Sequence, residues 1–148
     1  MPCMGSSVLN PANYEKLPNF IAVEGPIGVG KTTLAKLISE SLGYEIFLEN
    51  PMENPFLEDF YSNPSGSALA TQLFFLFQRV KHIQDLKQTD IFYSSKVSDY
   101  LLDKDKLFAE TTLSDQELNL YLQIYDHLAL DLPTPDLVIY LQAQTNTL

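Results

Sequence analysis

The feature that most constrains this chain is a glycine-rich run that directly follows a short apolar segment. Residues 25–32 read Gly-Pro-Ile-Gly-Val-Gly-Lys-Thr and fit the pattern G-x-x-x-x-G-K-[ST] at every fixed position. Glycines let backbone N–H groups turn toward phosphate oxygens, and the helix that follows presents the positive end of its dipole to the same anion. Because apolar residues 20–23 precede the run and a helical pattern follows it, the sequence predicts a nucleotide-binding P-loop rather than an ordinary glycine turn.

The same motif predicts which residues contact the nucleotide. Lys31 is expected to reach the β- and γ-phosphates, and the Thr32 hydroxyl is expected to bind Mg²⁺. The residues expected to hold the phosphates of ATP or another NTP are Gly25, Pro26, Ile27, Gly28, Val29, Gly30, Lys31, Thr32 and Thr33.

Composition limits the other partners. With 148 residues, of which 45% are hydrophobic, the chain is expected to form one domain with a substantial core. Nineteen acidic against nine basic residues give a net charge of -10, so a nucleic acid or an anionic membrane surface would be repelled and a small-molecule substrate is favoured. The single cysteine, Cys3, argues against a disulfide framework, and no leader or membrane-spanning run is present, so we expect a cytoplasmic protein.

Alternating strand and helix patterns predict the fold class. Strand-like apolar segments occur at residues 20–24, 45–48, 96–98 and 136–141. Helical periods occur after the P-loop up to Gly43, at about residues 67–87, and after a capping box at residues 114–117. This order predicts an α/β fold, a doubly wound parallel sheet with helices on both faces, and the run at 136–141 is typical of a buried strand. Residues 1–18 are expected to be a flexible tail before a domain at 19–148.

Two carboxylates are expected at the edge of this sheet where ligands bind. Glu49 and Asp99 each follow a strand pattern directly, as Gly25 does, and parallel sheets bind ligands beyond the carboxyl ends of their strands. One carboxylate would accept a proton from an attacking hydroxyl and the other would hold Mg²⁺. The pattern does not say which does which, and both residues could instead lie in ordinary surface turns.

A polar stripe follows the long helix. Gln72, Phe75 and Arg79 are spaced i, i+3 and i+7, so their side chains share one side of the helix over two turns. On spacing alone, this stripe could equally face solvent.

Five collinear segments carry a family resemblance. They are residues 24–33, residues 48–61, the helix from Gln72 to Arg79, Ser98-Asp99-Tyr100, and residues 107–110. In these the chain resembles the deoxynucleoside kinases, in particular the bacterial members that act on deoxyadenosine and deoxyguanosine. The resemblance implies transfer of the γ-phosphate of ATP, or of another NTP, to the 5′-hydroxyl of a 2′-deoxynucleoside, with Mg²⁺, in nucleotide salvage. A homodimer formed through long helices is also implied, although the apolar face of residues 67–87 could equally be core.

The resemblance also implies residue roles. Glu49 would be the general base, with Lys31 and Asp99 completing the catalytic set and Thr32 and Asp99 binding the metal. Tyr61 would bond the sugar 3′-hydroxyl. The nucleobase would meet the amide of Gln72, the guanidinium of Arg79 and the ring of Phe108, while Asp105 would pair with the arginine on the base side of the site.

Two departures from the family pattern affect these expectations. Where many members have an acid followed by Arg and Ser, this chain has Asp99-Tyr100-Leu101, so the arginine is missing. Placing Asp99 on that acid requires a one-residue gap before Phe108, and the ungapped alternative places Ser98 there. The chain also stops at Leu148, before the segment that would supply a lid and a last strand, so we expect a fragment.

Two other functions stay open on the sequence. One is a different P-loop phosphotransferase, such as a nucleoside monophosphate kinase, although Arg79 is the sole arginine to meet a second phosphate. The other is a nucleotide-binding remnant without catalytic activity.

Overall fold

The computed structural model describes residues 16–89, 95–129, 132–144 and 146. The first half contains β1 (Phe20–Glu24), α1 (Lys31–Leu42), β2 (Glu45–Phe47), a single 3₁₀ turn at Pro51–Glu53, α2 (Leu57–Ser62) and α3 (Pro64–Thr89). The second half contains β3 (Lys96–Ser98), α4 (Asp103–Thr112), α5 (Asp115–Ala129) and β4 (Leu137–Tyr140). Most of the predicted tail, residues 1–15, lies outside the described residues, and its end is held where Tyr44 donates a hydrogen bond to the Pro18 carbonyl at 2.5 Å.

The described strands form one parallel sheet in the order β2-β3-β1-β4. In the centre, Ile21 of β1 lies opposite Val97 of β3 on one side and Leu137 of β4 on the other. All strand pairs are parallel, so their carboxyl ends meet at one edge. The predicted parallel α/β fold is confirmed, and Gly25, Glu49 and Asp99 follow strands at that edge.

Helices cover both faces of the sheet because alternate strand residues point to opposite sides. On one side, Ile21, Val23 and Val97 form a buried cluster with Ala35 of α1, and Leu34 and Ile38 pack against it. On the other, Phe20 borders a small cavity shared with Ile83 of α3 and Tyr125 of α5. A second core, formed between α3, α4 and α5, contains Leu76, Val80, Ala109, Tyr121 and Tyr125.

The capping box at the start of α5 is confirmed. Ser114 Oγ accepts a hydrogen bond from the Glu117 N–H at 3.4 Å, and Glu117 Oε1 accepts one from the Ser114 N–H at 3.3 Å. Leu113 and Leu118 pack beside the second core, as a hydrophobic staple does. This local signal begins α5 at Asp115.

Two parts of the fold differ from the sequence predictions. The expected burial of β4 is wrong, since Leu137, Val138 and Tyr140 are exposed. Among the described strands β4 pairs with β1 alone, so it is an edge strand and its apolar side chains are not enclosed. The helices α2 and α4 were not predicted, because α2 is six residues long and α4 is polar, with a buried charge in its first turn. In the described part of the chain, no helix combines the length and apolarity needed to cross a bilayer.

Candidate active site

Gly25 and Gly30 of the P-loop have backbone conformations that only glycine adopts easily. Gly25 has φ 153°, and a Cβ there would lie 2.6 Å from the Leu141 carbonyl oxygen at the end of β4. Gly30 has φ 103° and caps α1, so the helix begins at Lys31. Both positions disfavour any side chain. Glycine at position 25 lets the loop run close to the end of β4, and glycine at position 30 lets α1 begin directly after the loop.

Lys31 lies across its own loop. Its Nζ donates a hydrogen bond to the Gly25 carbonyl at 2.9 Å and lies 3.7 Å from Glu24 Oε1. A phosphate group in the loop would have to draw the ammonium group away from these two oxygens. Since a phosphate carries more charge than one carboxylate, this exchange is electrostatically favourable.

Asp99 joins the P-loop to the end of β2. Its Oδ2 accepts a hydrogen bond from the Thr32 hydroxyl at 2.7 Å, and its Oδ1 accepts one from the Glu49 N–H at 2.8 Å. Ser98 points elsewhere, since its hydroxyl donates to the Tyr100 carbonyl inside the protein. The structure therefore brings Asp99, and not Ser98, to the phosphate end of the site.

Thr32 and Asp99 together fit Mg²⁺. A hydroxyl and a carboxylate are hard oxygen donors, and magnesium in nucleotide sites uses one or two protein oxygens together with phosphate oxygens and water. Nowhere in the described ranges do three or more His, Cys, Asp or Glu side chains gather to hold an ion by themselves. The donor set thus suits an ion that arrives with a nucleotide rather than a permanent protein-bound metal.

Arg79 stands between two carboxylates. Its Nη2 donates to Glu49 Oε1 and its Nη1 donates to Asp105 Oδ1, while Tyr121 donates its hydroxyl proton to Asp105 Oδ2. Arg79 is 7% exposed and Gln72 is 6% exposed. The solvent-facing alternative for this stripe is therefore wrong, and the stripe lies inside the site.

Charges in this cluster support one another. Burial works against the charge of Arg79, but the carboxylates of Glu49 and Asp105 outweigh it and raise the pKa of the guanidinium. Burial raises the pKa of Asp105, an effect that Arg79 and the Tyr121 hydroxyl oppose. Burial also raises the pKa of Tyr121, helped by the adjacent Asp105 carboxylate. The arginine thus stays cationic and the phenol stays protonated.

A cavity of about 430 Å³ opens between the P-loop and α3. Its wall contains most of the residues predicted to bind substrate: Glu49, Tyr61, Gln72, Arg79 and Phe108, together with Lys31 of the P-loop. Asp105 is not part of the wall, because it lies behind Arg79 with a fully buried side chain. No hydrogen bond joins the Gln72 amide to another described residue, so this buried amide is available to a ligand.

Sequence reasoning missed two charged residues of this site. Glu24, at the end of β1, and Lys104, in the first turn of α4, form an ion pair at 2.5 Å, and both line the cavity. Glu24 could have been noticed as the one charge in an otherwise apolar strand. No local signal marks Lys104, since it lies in a charged segment without a clear period.

A parallel α/β sheet whose first strand leads into a glycine-rich phosphate loop, with carboxylates at the same edge, defines the P-loop class of nucleotide-binding proteins. Within that class, the family described as deoxynucleoside kinase matches residues 21–148. The chain belongs to the deoxynucleoside kinase family.

Individual relatives agree with this assignment. The chain is 41% identical over 130 residues to a deoxyguanosine kinase of Bacillus subtilis, a match that covers 87% of this chain and 63% of the relative. It is 31% identical over 150 residues to a deoxyadenosine kinase of Dictyostelium discoideum, covering 95% of this chain and 58% of the relative. A solved structure of deoxyadenosine kinase from M. mycoides, with dCMP and dCDP bound, superimposes with a TM-score of 0.72 at 30% identity, covering 86% of this chain and 66% of that one. The chain thus spans roughly three-fifths of the length of these two curated relatives.

Proposed function

We propose that this site transfers the γ-phosphoryl group of ATP, or of another NTP, to the 5′-hydroxyl of a 2′-deoxynucleoside, with a preference for purines. The observation that carries the proposal is the bridge through Asp99, which bonds Thr32 of the P-loop and the backbone of Glu49 at once. This bridge places a phosphate-binding loop and a candidate base on the wall of the same cavity. Phosphoryl transfer to an alcohol needs a bound donor phosphate and a group that accepts the proton of the alcohol in one site.

Glu49 is proposed as the general base. The 5′-oxygen attacks the γ-phosphorus, the bond from that phosphorus to the β–γ bridging oxygen breaks, the nucleoside diphosphate leaves, and the hydroxyl proton passes to the Glu49 carboxylate. Arg79 holds that carboxylate in position through its hydrogen bond to Oε1. Asp105, which bonds the other side of the guanidinium, acts through Arg79 and is a positioning residue.

Lys31, Thr32 and Asp99 are proposed to hold the donor. Lys31 exchanges its contacts with Gly25 and Glu24 for phosphate oxygens. The Thr32 hydroxyl and the Asp99 carboxylate are the residues that would hold Mg²⁺. When bound there, the ion would neutralise negative charge on the phosphates of the donor.

Recognition of the nucleoside is proposed to use the far end of the cavity. The Gln72 amide, which bonds no other described residue, offers a donor and an acceptor to the edge of a base, and the half-exposed Phe108 ring offers a stacking face. Tyr61, exposed on α2 and also on the wall, would bond the sugar 3′-hydroxyl. The preference for purines is supported by relatives that are named deoxyguanosine and deoxyadenosine kinases.

The test is a substrate panel on the natural gene product, whose intact mass is first compared with the 16.7 kDa of this chain. With Mg²⁺ and ATP, we expect 5′-monophosphates from deoxyguanosine and deoxyadenosine, at higher kcat/KM than from the two pyrimidine deoxynucleosides. Phosphorylation of nucleoside monophosphates instead would indicate a monophosphate kinase. Binding of ATP without phosphorylation of any of the four nucleosides would indicate a nucleotide-binding protein without this activity.

A cytoplasmic homodimer is proposed as the working state. Phe77 lies on the long helix α3 and is 51% exposed. This helix therefore presents a large apolar side chain that a partner copy could cover. Sedimentation equilibrium of the wild type and of Phe77→Ser tests this proposal. We expect dimers for the wild type and a shift toward monomers for the variant, and a monomeric wild type would refute the proposed dimer.

A further inference from the structure

A second lysine converges with Lys31 on the base of the P-loop. Lys104 Nζ lies 2.5 Å from Glu24 Oε1 and 3.3 Å from the Gly25 carbonyl oxygen. Lys31 Nζ contacts the same carboxylate oxygen at 3.7 Å and the same carbonyl oxygen at 2.9 Å. The two ammonium groups are therefore neighbours, although one begins α1 and the other lies on α4.

These two lysines outnumber the negative charge that holds them. Glu24 supplies one carboxylate, and its Oε1 also accepts the Gly25 N–H at 2.8 Å. The other oxygen, Oε2, is buried without a hydrogen-bond partner among the described residues. The two ammonium groups share this one carboxylate oxygen, and like charges this close repel one another unless a second anion joins them.

Arg79, another cation on the cavity wall, is already paired with carboxylates of the protein. Arg79 gives its two terminal nitrogens to Glu49 and Asp105. Lys104, by contrast, is on the cavity wall, with its side chain 25% exposed and its ammonium 5.4 Å from the centre of the Phe108 ring. A lysine stem is flexible and its ammonium carries rotatable donors, so Lys104 can leave Glu24 for an anion in the cavity.

The geometry points to Lys104 as a second phosphate-binding cation of this site. Glu24 holds its ammonium group beside the P-loop, and the ammonium group binds the phosphates of the nucleotide when the nucleotide is present. This inference rests on the proposed function for the identity of the ligand. The family pattern has an arginine at position 100, where this chain has Tyr100. Lys104 on α4 would supply that positive charge instead. The buried Tyr100 ring packs against Arg79, with its centroid 5.8 Å from the guanidinium carbon, and supplies no cation.

The test is calorimetric binding of inorganic tripolyphosphate to the full-length protein. Tripolyphosphate probes the phosphate subsite without base, sugar or acceptor. We expect Lys104→Met to weaken its binding about tenfold, as loss of one charge-assisted hydrogen bond does, and Lys104→Arg to retain most of the affinity. Lys31→Met serves as the reference for a lost P-loop cation.

Lys106→Met is the matched control. Lys106 lies on the same helix but faces Asp126 at 3.8 Å and the Tyr125 ring at 4.3 Å, away from the P-loop. Its replacement is expected to leave tripolyphosphate binding unchanged. If Lys104→Met binds as tightly as Lys106→Met, the inference is overturned.

A double variant separates phosphate binding from simple neutralisation of Glu24. Glu24→Gln combined with Lys104→Met removes both charges, so it also serves if Lys104→Met alone fails to fold. A phosphate-binding Lys104 predicts that the double variant stays weak, whereas recovery of the wild-type affinity would mean that Lys104 only balances Glu24. Because this readout needs no turnover, it can succeed even if no deoxynucleoside is phosphorylated, and the two proposals fail independently.

Discussion

The Thr32 hydroxyl donates a hydrogen bond of 2.7 Å to Asp99, which lies 67 positions later in the sequence. The contact exists because β1 and β3 are neighbours in a parallel sheet, so the residues that follow them lie side by side at its carboxyl edge. It joins the phosphate loop to the carboxylate that also bonds the backbone of Glu49.

Replacing Asp99 by Asn is expected to change the metal dependence. Asn keeps one acceptor oxygen for the Glu49 N–H, and its NH₂ group can donate to the Thr32 hydroxyl oxygen, but it loses the charge that Mg²⁺ prefers. We expect the Mg²⁺ concentration for half-maximal rate to rise about tenfold. A magnesium titration of kinase activity measures this change, with Asp126→Asn on the exposed side of α5 as control. An unchanged titration would place the metal elsewhere.

Glu49→Gln tests the general base. The amide can still accept a hydrogen bond from Arg79 but cannot take up the 5′-hydroxyl proton, so kcat is expected to fall about 10²- to 10⁴-fold while nucleoside binding persists. Steady-state kinetics together with calorimetric binding of deoxyguanosine separate the two effects. Glu53→Gln, four residues along the chain and exposed, is the control. Retention of the wild-type kcat would refute the role of Glu49.

Asp105→Asn is expected to destabilise the fold. The Asp105 side chain is fully buried between Arg79 and Tyr121, and removal of its charge leaves a buried guanidinium with Glu49 as its remaining carboxylate. The free energy of unfolding should fall by about 3 kcal/mol. Urea unfolding monitored by circular dichroism measures the loss. Asp103→Asn, which changes an exposed carboxylate on the same helix, should lower the free energy of unfolding by less than about 1 kcal/mol. Equal losses in the two variants would contradict a special role for the buried pair.

Alkaline pH is expected to destabilise the protein through its buried tyrosines. Burial raises the pKa of Tyr121 above its ordinary value of 10.0, and burial likewise raises that of Tyr125. The unfolded chain then loses these protons first, so the stabilisation is complete below pH 10 and is lost as the pH rises above it. Above pH 10, each tyrosine that stays protonated in the folded protein lowers the free energy of unfolding by about 1.4 kcal/mol per pH unit.

Urea midpoints measured at a series of alkaline pH values check this expectation. Tyr121→Phe removes one titrating phenol, so its stability should decline less steeply with pH than that of the wild type. Tyr61→Phe, which alters an exposed phenol, should decline like the wild type. Parallel declines in all three proteins would show that Tyr121 does not titrate differently in the two states.

Gln72→Met tests recognition of the base. Methionine preserves the length of the side chain but removes the amide, so deoxynucleosides that use its donor and acceptor should lose about tenfold in kcat/KM relative to those that do not. The readout is the ranking of four deoxynucleosides. Gln78→Met, on the same helix but bonded to Glu53, should keep the wild-type ranking. An equal loss for all four nucleosides would mean that the base is recognised by other residues.

Local patterns predicted much of this fold. The Gly25–Thr32 motif, the helix that ends before Gly43, and the capping box at Ser114 act within a few residues, so the sequence alone determines them. The four strand segments and their parallel arrangement also followed from pattern and order. The family resemblance added the pairing of Arg79 with Asp105, which the structure brings into contact.

Contacts between distant residues were decided only by the tertiary structure. The burial of Gln72 and Arg79 depended on the packing of α3 against α2, α4 and α5, since spacing along a helix is the same for a buried and an exposed stripe. The exposure of β4 depended on its place at the edge of the described sheet. Glu24 and Lys104 are 80 residues apart, and only the fold brings their charges to the same loop. The sequence thus determined the P-loop and the order of elements through short-range chemistry, whereas long-range packing decided which charges meet.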